Sequence, residues 1–248
     1  MARRQVGAEP SDAFAEDQRA FFDRLITEEW DTYLDPVWDA SRRFEVDRLF
    51  ERISPKRIID VGCGCGYHDV LMADAAGVTE VFGLDYSEKS IETANRVYAH
   101  PKVTRIVGDV RDDDQAGSGF DLAVSFQVIE HLADAPGFLA HCARRVRPGG
   151  WVAAATPNRK RLFNRLIGLF GAKPRLADTQ HYTEFTPAEL ASIGRTAGLE
   201  VEGWFGYGLS LTVPKLGWNL VPRQSGLGLG HRLPPVSDVF CIIFRKPA

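Results

Sequence analysis

The sequence predicts an α/β fold: an open, mostly parallel sheet with helices on both faces. Three observations predict it. Short apolar runs alternate with segments of helical spacing from about residue 57 to residue 155, the pattern of strands joined by crossover helices. The first run passes into a glycine loop, Gly62-Cys63-Gly64-Cys65-Gly66, that opens a helix. Three successive runs end in an aspartate, Asp60, Asp85 and Asp109, as expected where a ligand lies across the carboxyl edge of such a sheet.

From Phe14 to Phe50 apolar and aromatic residues recur at helical spacing, interrupted at Asp35-Pro36, which predicts two helices ahead of the first strand. Residues 1–12 read as disordered. Arg57 to Val61 is a strand, Tyr67 to Ala76 a helix stopped by Gly77, and Glu80 to Leu84 a second strand. Ser87 caps a helix running to about Ala99, with Glu88 in its first turn. Val103 to Val107 and Phe120 to Phe126 are the third and fourth strands. A helix from about Ala135 to Val146 ends at the Pro148-Gly149-Gly150 turn, and Trp151 to Ala155 is the fifth strand. Thr186-Pro187-Ala188-Glu189 is a capped helix start with proline at the first helical position. Asp238 to Phe244 is a last apolar strand. These elements divide the chain into an N-terminal helical cap, 1–52, and one domain, 53–248, interrupted by a basic amphipathic segment at 159–180 and a Gly/Pro-rich one at 203–235.

A chain of 248 residues with 44% hydrophobic and 25% charged residues has the composition of a soluble globular protein. The net charge of −3 gives no reason to expect nucleic acid. It hides an asymmetry: residues 159–248 carry 12 Lys+Arg against 6 Asp+Glu, or +6, leaving −9 for the rest. Cys63, Cys65, Cys142 and Cys241 form no C-x-x-C pair, so zinc is not expected and reduced thiols in a cytoplasmic protein fit best. Arg3 and Arg4 are followed by acidic and polar residues rather than a signal-peptide core. No apolar run approaches the roughly 18 residues of a membrane span.

Glycines after a strand let the backbone approach a ligand closely. A dinucleotide site would show G-x-G-x-x-G under a pyrophosphate; here the spacing is G-x-G-x-G, and Asp60, two positions ahead of Gly62, would repel a pyrophosphate. At the end of the second strand Asp85 is placed to take both ribose hydroxyls of an adenosine-type ligand, with Tyr86 beside it. After the third strand, in Val107-Gly108-Asp109-Val110, a carboxylate can accept the adenine amino group while Val110 packs on the ring. Each aspartate alone is more often a turn former or cap; the three together specify a site.

Asp60 to Gly66, Asp85, Gly108-Asp109, the Phe120 to Phe126 strand and the Arg147-Pro148-Gly149-Gly150 turn resemble the successive motifs of the class I methyltransferases. The resemblance spans about residues 55–156. It implies a Rossmann-like seven-stranded sheet whose last strand, Asp238 to Phe244, is antiparallel. It implies S-adenosyl-L-methionine as cofactor and S-adenosyl-L-homocysteine as product, with Asp60 and Gly62, Cys63, Gly64 and Gly66 at the amino-acid end, Asp85 at the ribose and Gly108, Asp109 and Val110 at the adenine; Phe126 and Gln127 close the strand beside them. A narrower likeness is to the ubiquinone-biosynthesis O-methyltransferases. It rests on Ser125 to Leu132, Thr156-Pro157-Asn158-Arg159, and His181 followed by Phe185-x-Pro187-x-Glu189-Leu190. That likeness implies an arginine contact to the cofactor carboxylate, for which Arg43 is the nearest match. It also implies a membrane-touching insertion where Arg159 to Arg175 lies. The group's Glu-x-x-Glu-His run is linked to a divalent metal, but Gln127 stands at its first glutamate, so no metal is expected at Glu130 and His131.

Methyl transfer from a sulfonium is an in-line displacement, in which holding the partners in line and excluding water matter most. A hydroxyl acceptor gains from a general base near neutral pH, commonly histidine. His131, just beyond the fourth strand, and His181, on the segment leading to the next helix, are the candidates; each has a bland reading as a cap or lid anchor. His68, His100, His141 and His231 read as surface or packing residues. Arg159 to Arg175 holds six basic residues and no acidic one. As a helix, its rows Leu162-Leu166-Leu169 and Phe163-Ile167-Phe170 suit a membrane interface, a lid over an apolar acceptor, or core. The expected function is methyl transfer to an oxygen of a small hydrophobic or aromatic acceptor. An N- or C-methyltransferase, a silent cofactor-binding module and a nicotinamide oxidoreductase are the alternatives.

Overall fold

The computed structural model describes residues 12–28, 36–110, 116–178, 180–213, 218–221 and 223–248. Apart from Asp12, the reading of residues 1–12 as disordered lies outside them. Two helices precede the sheet as expected, α1 Asp12–Glu28 and α2 Pro36–Phe50. The strands β1 Arg57–Val61, β2 Glu80–Asp85, β3 Val103–Val107 and β4 Phe120–Phe126 alternate with α3 Tyr67–Asp74 and α4 Glu88–Val97. Then follow α5 Ala135–Arg145, β5 Val146–Pro157, α6 Leu162–Gly168, α7 Pro187–Thr196, β6 Glu200–Tyr207, β7 Leu211–Val213, β8 Trp218–Val221, α8 Arg223–Arg232 and β9 Val239–Arg245.

Seven strands form one sheet in the order β3-β2-β1-β4-β5-β9-β6. β1 pairs in parallel with both β2 and β4, so the chain turns from one half of the sheet to the other above β1. That reversal is where open α/β sheets bind ligands. β9 runs antiparallel to β5 and to β6, which makes the last strand the reversed one, as expected. Ile58, Ile59 and Val61 of β1 and Leu122, Ala123 and Val124 of β4 are wholly buried, because α5 and α7 cover one face while α2 and α3 cover the other. Each fully buried Phe, Leu or Ile contributes about 1.5–3 kcal/mol.

Local chemistry sets the helix starts. The Ser87 hydroxyl accepts the Ser90 N–H at 3.0 Å, and Thr186 and Glu189 form a reciprocal capping box at α7. Two expectations need correction. Arg147-Pro148-Gly149-Gly150 does not precede the fifth strand but lies inside it: Val146 pairs with Phe120 and Trp151 with Leu122. The four residues therefore loop out opposite Asp121, whose carboxylate accepts from Arg147 Nε at 2.7 Å. Arg159 to Arg175 is not one long amphipathic helix. α6 ends at Gly168, and the buried Asn164 side chain donates to the carbonyls of Arg159 and Arg175, folding the segment into a compact turn. Within the Gly/Pro-rich stretch 203–235 the described residues form most of β6, the antiparallel pair β7 and β8, and α8.

Candidate cofactor and acceptor site

The glycine loop is pinned to its neighbour strand, since the N–H groups of Gly62 and Cys63 both reach the Leu84 carbonyl, at 2.7 and 3.1 Å. Gly62 has φ 86°, and a Cβ there would stand 2.4 Å from a Val128 methyl. At Gly66, φ 78°, a Cβ would stand 2.7 Å from the Arg105 guanidinium. Both positions exclude a side chain on backbone angle and on space. Asp85 accepts the Gly64 N–H through one oxygen and the Ser87 N–H through the other, each at 2.9 Å. Burial still pushes its carboxyl up to about 6, against the pull of these two hydrogen bonds.

Under the loop lies a buried ionic cluster. Arg105 of β3 donates through Nε to Asp69 of α3 at 2.6 Å, and its other N–H groups reach the carbonyls of Gly66, Ala94 and Tyr98. Asp60 is 1% exposed and faces Asp69. Burial and then the Asp69 charge push it well above the usual carboxylate range. It backs the loop from beneath and does not line the cavity above.

That cavity, about 1010 Å³, runs along the carboxyl edge of the sheet. It is at the upper end of small-molecule pockets, with room for a nucleoside cofactor and a second molecule. Gly62, Cys63 and Gly64 line it from the loop; Asp85 and Tyr86 line it after β2, and Asp109 and Val110 after β3. Phe126 and Gln127 line it at the end of β4, and His131 and His181 line it further on. Gly66 and Gly108 act from behind, Gly108 donating to the Asp85 carbonyl at 2.9 Å. Gln127 has φ 59°, a left-handed conformation rare outside Gly and Asn that often marks a ligand site.

The structure does not bring Arg43 to this cavity. Its side chain is 57% exposed and pairs with Asp39 one turn back at 3.0 Å. Arg42 lines the cavity instead, its guanidinium 4.9 Å from the Tyr67 ring centroid. Helical phase decides between the two neighbours: Arg42, Glu45, Val46 and Leu49 share the inward face of α2 and are all buried.

α1 and the segment around 159–184 form the roof. Gln18 Nε2 donates to the Gln180 carbonyl at 2.9 Å, and the Phe22 ring meets the edge of His131 at 5.3 Å between centroids. His131 and His181 stand edge to face at 5.0 Å. His131 Nδ1 lies 3.2 Å from the Gln180 carbonyl, and burial followed by the His181 charge pushes its imidazole down to about 4. His181 Nδ1 lies 3.1 Å from Glu184, whose carboxylate also takes the Arg161 guanidinium and the Ala177 N–H. Although burial works to raise Glu184, the His181 hydrogen bond and the Arg161 charge hold it low.

One ligand atom from each of Glu130, His131 and His181 lies within 4.8 Å of the other two, so His181 joins the two residues that the sequence placed side by side. Glu130 Oε2 accepts from Thr156 at 2.9 Å, while the buried Oε1 has no hydrogen-bond partner among the described residues. Burial pushes its carboxyl up to about 7, against the pull of His181. The trio offers one oxygen and two nitrogen ligands, with Gln127 in the place of a second carboxylate.

A second polar cluster lines the same cavity, and sequence reasoning missed it. His68 Nε2 is 2.7 Å from a Glu45 oxygen, Tyr207 donates its hydroxyl to the other, and the His68 ring stacks on Phe126 at 4.2 Å and 17°. All four side chains line the cavity.

Residues 39–203 match the methyltransferase-domain family. The chain is 38% identical over 187 residues to a ubiquinone biosynthesis O-methyltransferase of Thiobacillus denitrificans, covering 66% of this chain and 78% of that one. It is 36% identical over 167 residues to a Mycolicibacterium smegmatis protein named as a probable S-adenosylmethionine-dependent methyltransferase, a match that spans 66% of this chain but only 61% of the relative's length. Among solved structures it resembles the Burkholderia thailandensis 1,6-didemethyltoxoflavin-N1-methyltransferase with bound S-adenosylhomocysteine. The TM-score is 0.66 at 19% identity, over 100% of this chain and 95% of that one. Family match, sheet order and the aspartate-lined cavity agree: the chain is a member of the S-adenosylmethionine-dependent methyltransferases.

Proposed function

We propose that this protein transfers the methyl group of S-adenosylmethionine to the hydroxyl oxygen of a small apolar or aromatic acceptor. The observation that carries the reading is the composition of the cavity beyond the cofactor residues. Phe22, Leu25, Ile26, Phe163 and Leu227 line it with apolar side chains, and two imidazoles held by carboxylates, His68 on Glu45 and His181 on Glu184, line the same cavity. An apolar chamber suits a displacement that water would slow, and an imidazole can take the hydroxyl proton. The names of the ubiquinone-pathway relatives support an oxygen acceptor. In this reading Asp85 holds the ribose, Asp109 and Val110 the adenine, and Gly62, Gly64 and Arg42 the amino-acid end, while Phe126 and Gln127 flank the methyl group. His131, His181 and His68 are the imidazoles that compete for the proton.

The test is a radiolabelled-methyl transfer screen over catechols, simple phenols, aliphatic alcohols and amines. Incorporation into phenols or alcohols supports the reading; incorporation confined to amines replaces it with N-methylation. S-adenosylhomocysteine should raise the melting temperature and NADH should not.

A lipid contact is a second reading, carried by one observation: Leu169 and Phe170 are 80% and 89% exposed just past α6, which carries Arg165. No helix among the described residues is long and apolar enough to cross a membrane, so any contact through this tip is peripheral. Co-sedimentation with anionic phosphatidylglycerol vesicles at low salt tests it. Loss of binding in Phe170→Ser supports the contact, and an absence of binding by the parent protein removes it.

A further inference from the structure

We propose that His68, oriented by Glu45 and Tyr207, is the group that accepts the proton of the methyl acceptor. The assignment rests on the hydroxyl-acceptor reading and names the base within it. His68 is on the first turn of α3, two residues beyond Gly66, and its ring lies flat against Phe126, the last residue of β4. β1 and β4 are neighbours in the sheet. With adenine held at the β3 end, ribose at the β2 end and the amino acid over the loop after β1, the sulfonium would face the β1–β4 boundary. His68 is at that boundary.

The hydrogen bonds select the same ring. Glu45 occupies Nε2, so the neutral tautomer carries its proton there and leaves a lone pair on Nδ1. Nδ1 has no partner among the described contacts. The other Glu45 oxygen takes the Tyr207 hydroxyl, a neutral donor, so the carboxylate charge stays available to the ring. This is the arrangement in which a carboxylate orients a histidine base. At His131 and His181 the arrangement differs. The Glu184 charge behind His181 is already matched by Arg161. His131 has only a backbone carbonyl at Nδ1 and a ring pushed toward the neutral form by burial. These two rings, with Gln180 and Glu184, fasten the roof.

The step balances without another reactant. The acceptor O–H proton passes to His68 Nδ1 as the oxygen attacks the methyl carbon. The C–S bond breaks, and its electron pair stays on sulfur as the neutral thioether. His68 leaves the step as an imidazolium facing Glu45 and returns its proton to water when product departs.

The experiment uses 4-nitrocatechol, whose phenolate absorbs at longer wavelength than the phenol, added to protein saturated with S-adenosylhomocysteine at a pH where the free probe is mostly un-ionised. The expected result is a phenolate band in the parent protein, in His131→Gln and in His181→Gln. His68→Gln should bind the probe with at least a tenfold smaller phenolate fraction, and any nitrocatechol turnover with S-adenosylmethionine should fall by about 10²-fold or more. A retained S-adenosylhomocysteine melting shift shows that His68→Gln is folded. A measurement on the parent protein needs no variant: imidazole ¹⁵N spectra should show the Nε2–H tautomer of His68 before probe binding and a doubly protonated ring after it. A full phenolate band in His68→Gln, or a His68 ring that stays neutral while the band appears, overturns the assignment. Failure of the saturated protein to bind nitrocatechol at all, together with a screen confined to amines, removes the hydroxyl reading itself.

Discussion

Replacing Arg105 by Met tests whether the glycine loop is held from beneath. The side chain is 1% exposed, and it is the cation that faces Asp69 and Asp60. Methionine keeps much of the volume but leaves Asp69 buried without its partner. Breaking a buried pair in this way costs about 3–5 kcal/mol, and the hydrogen bonds to Gly66, Ala94 and Tyr98, at 3.0–3.3 Å, add little to that. For a chain of 248 residues about 1 kcal/mol shifts the melting temperature by roughly 2–4 °C, so the fall is about 6–20 °C. The sign with pH follows from the carboxyls. Burial holds both Asp69 and Asp60 above the ordinary value, and Arg105 pulls both down. Removing the arginine raises them further, so the folded state binds protons more tightly than the unfolded one, and stability drains away as pH rises. The deficit of Arg105→Met should therefore be smaller at about pH 5 than at about pH 8. Adding Asp69→Asn removes the stranded charge and should recover a large part of the loss, as a double-mutant cycle by calorimetry would show. A deficit below about 1 kcal/mol, or one that is flat with pH, refutes the account of the cluster.

Four further outcomes follow. Asp85 must be ionised to accept two ribose hydroxyls, and burial sets its carboxyl at about 6; S-adenosylhomocysteine affinity by calorimetry should weaken as pH falls through about 6, by up to tenfold per unit, and the dependence should vanish in Asp85→Asn. Arg42→Gln should weaken S-adenosylhomocysteine by about tenfold or more, while 5′-methylthioadenosine, which lacks the amino-acid end, is unaffected and Arg43→Gln changes neither. In α8 a Cβ on Gly230 would sit 2.2 Å from the Gly208 carbonyl whereas one on Gly228 meets nothing within 4 Å, so Gly230→Ala should cost about 1–3 kcal/mol and Gly228→Ala should gain up to about 1 kcal/mol in a urea titration. Calorimetric titration with Mn²⁺ should give no heat above dilution if Glu130, His131 and His181 only fasten the roof, and His181→Ala should abolish any heat that does appear.

What could be read in the sequence was what repeats locally. β1 and β4 are buried on both faces, so they show as short apolar runs, and Ser87 and Thr186 announce their helices through caps that act within three residues. α8 gave no such signal. Gly226 and Gly230 are four apart, on the face through which the helix touches the backbone of Leu209 and Gly208; glycines that in the sequence are only part of a Gly/Pro-rich stretch are there the condition for close packing. α6 was read as too long because its apolar rows continue past Gly168, whereas the hydrogen bonds that end it come from Asn164 to residues at 159 and 175. Within the site the limit was the same. Asp85 and Asp109 announce themselves because a strand end fixes each one. Arg42 was within reach, since Val46 and Leu49 set the inward phase of α2 and select it over Arg43. His68 was not, because its partners are 23 residues before it and, through Glu45, 162 residues away at Tyr207. A cluster assembled from α2, α3 and β6 leaves no spacing in the chain. It exists only once the sheet order sets β6 two strands beyond β5 and α2 packs against α3 and α8. Asp85 and Asp109 line the cavity from single strand ends and were legible one by one. The residues assigned here to the acceptor depend on how distant elements pack, which is why the donor could be named from the sequence and the proton acceptor could not.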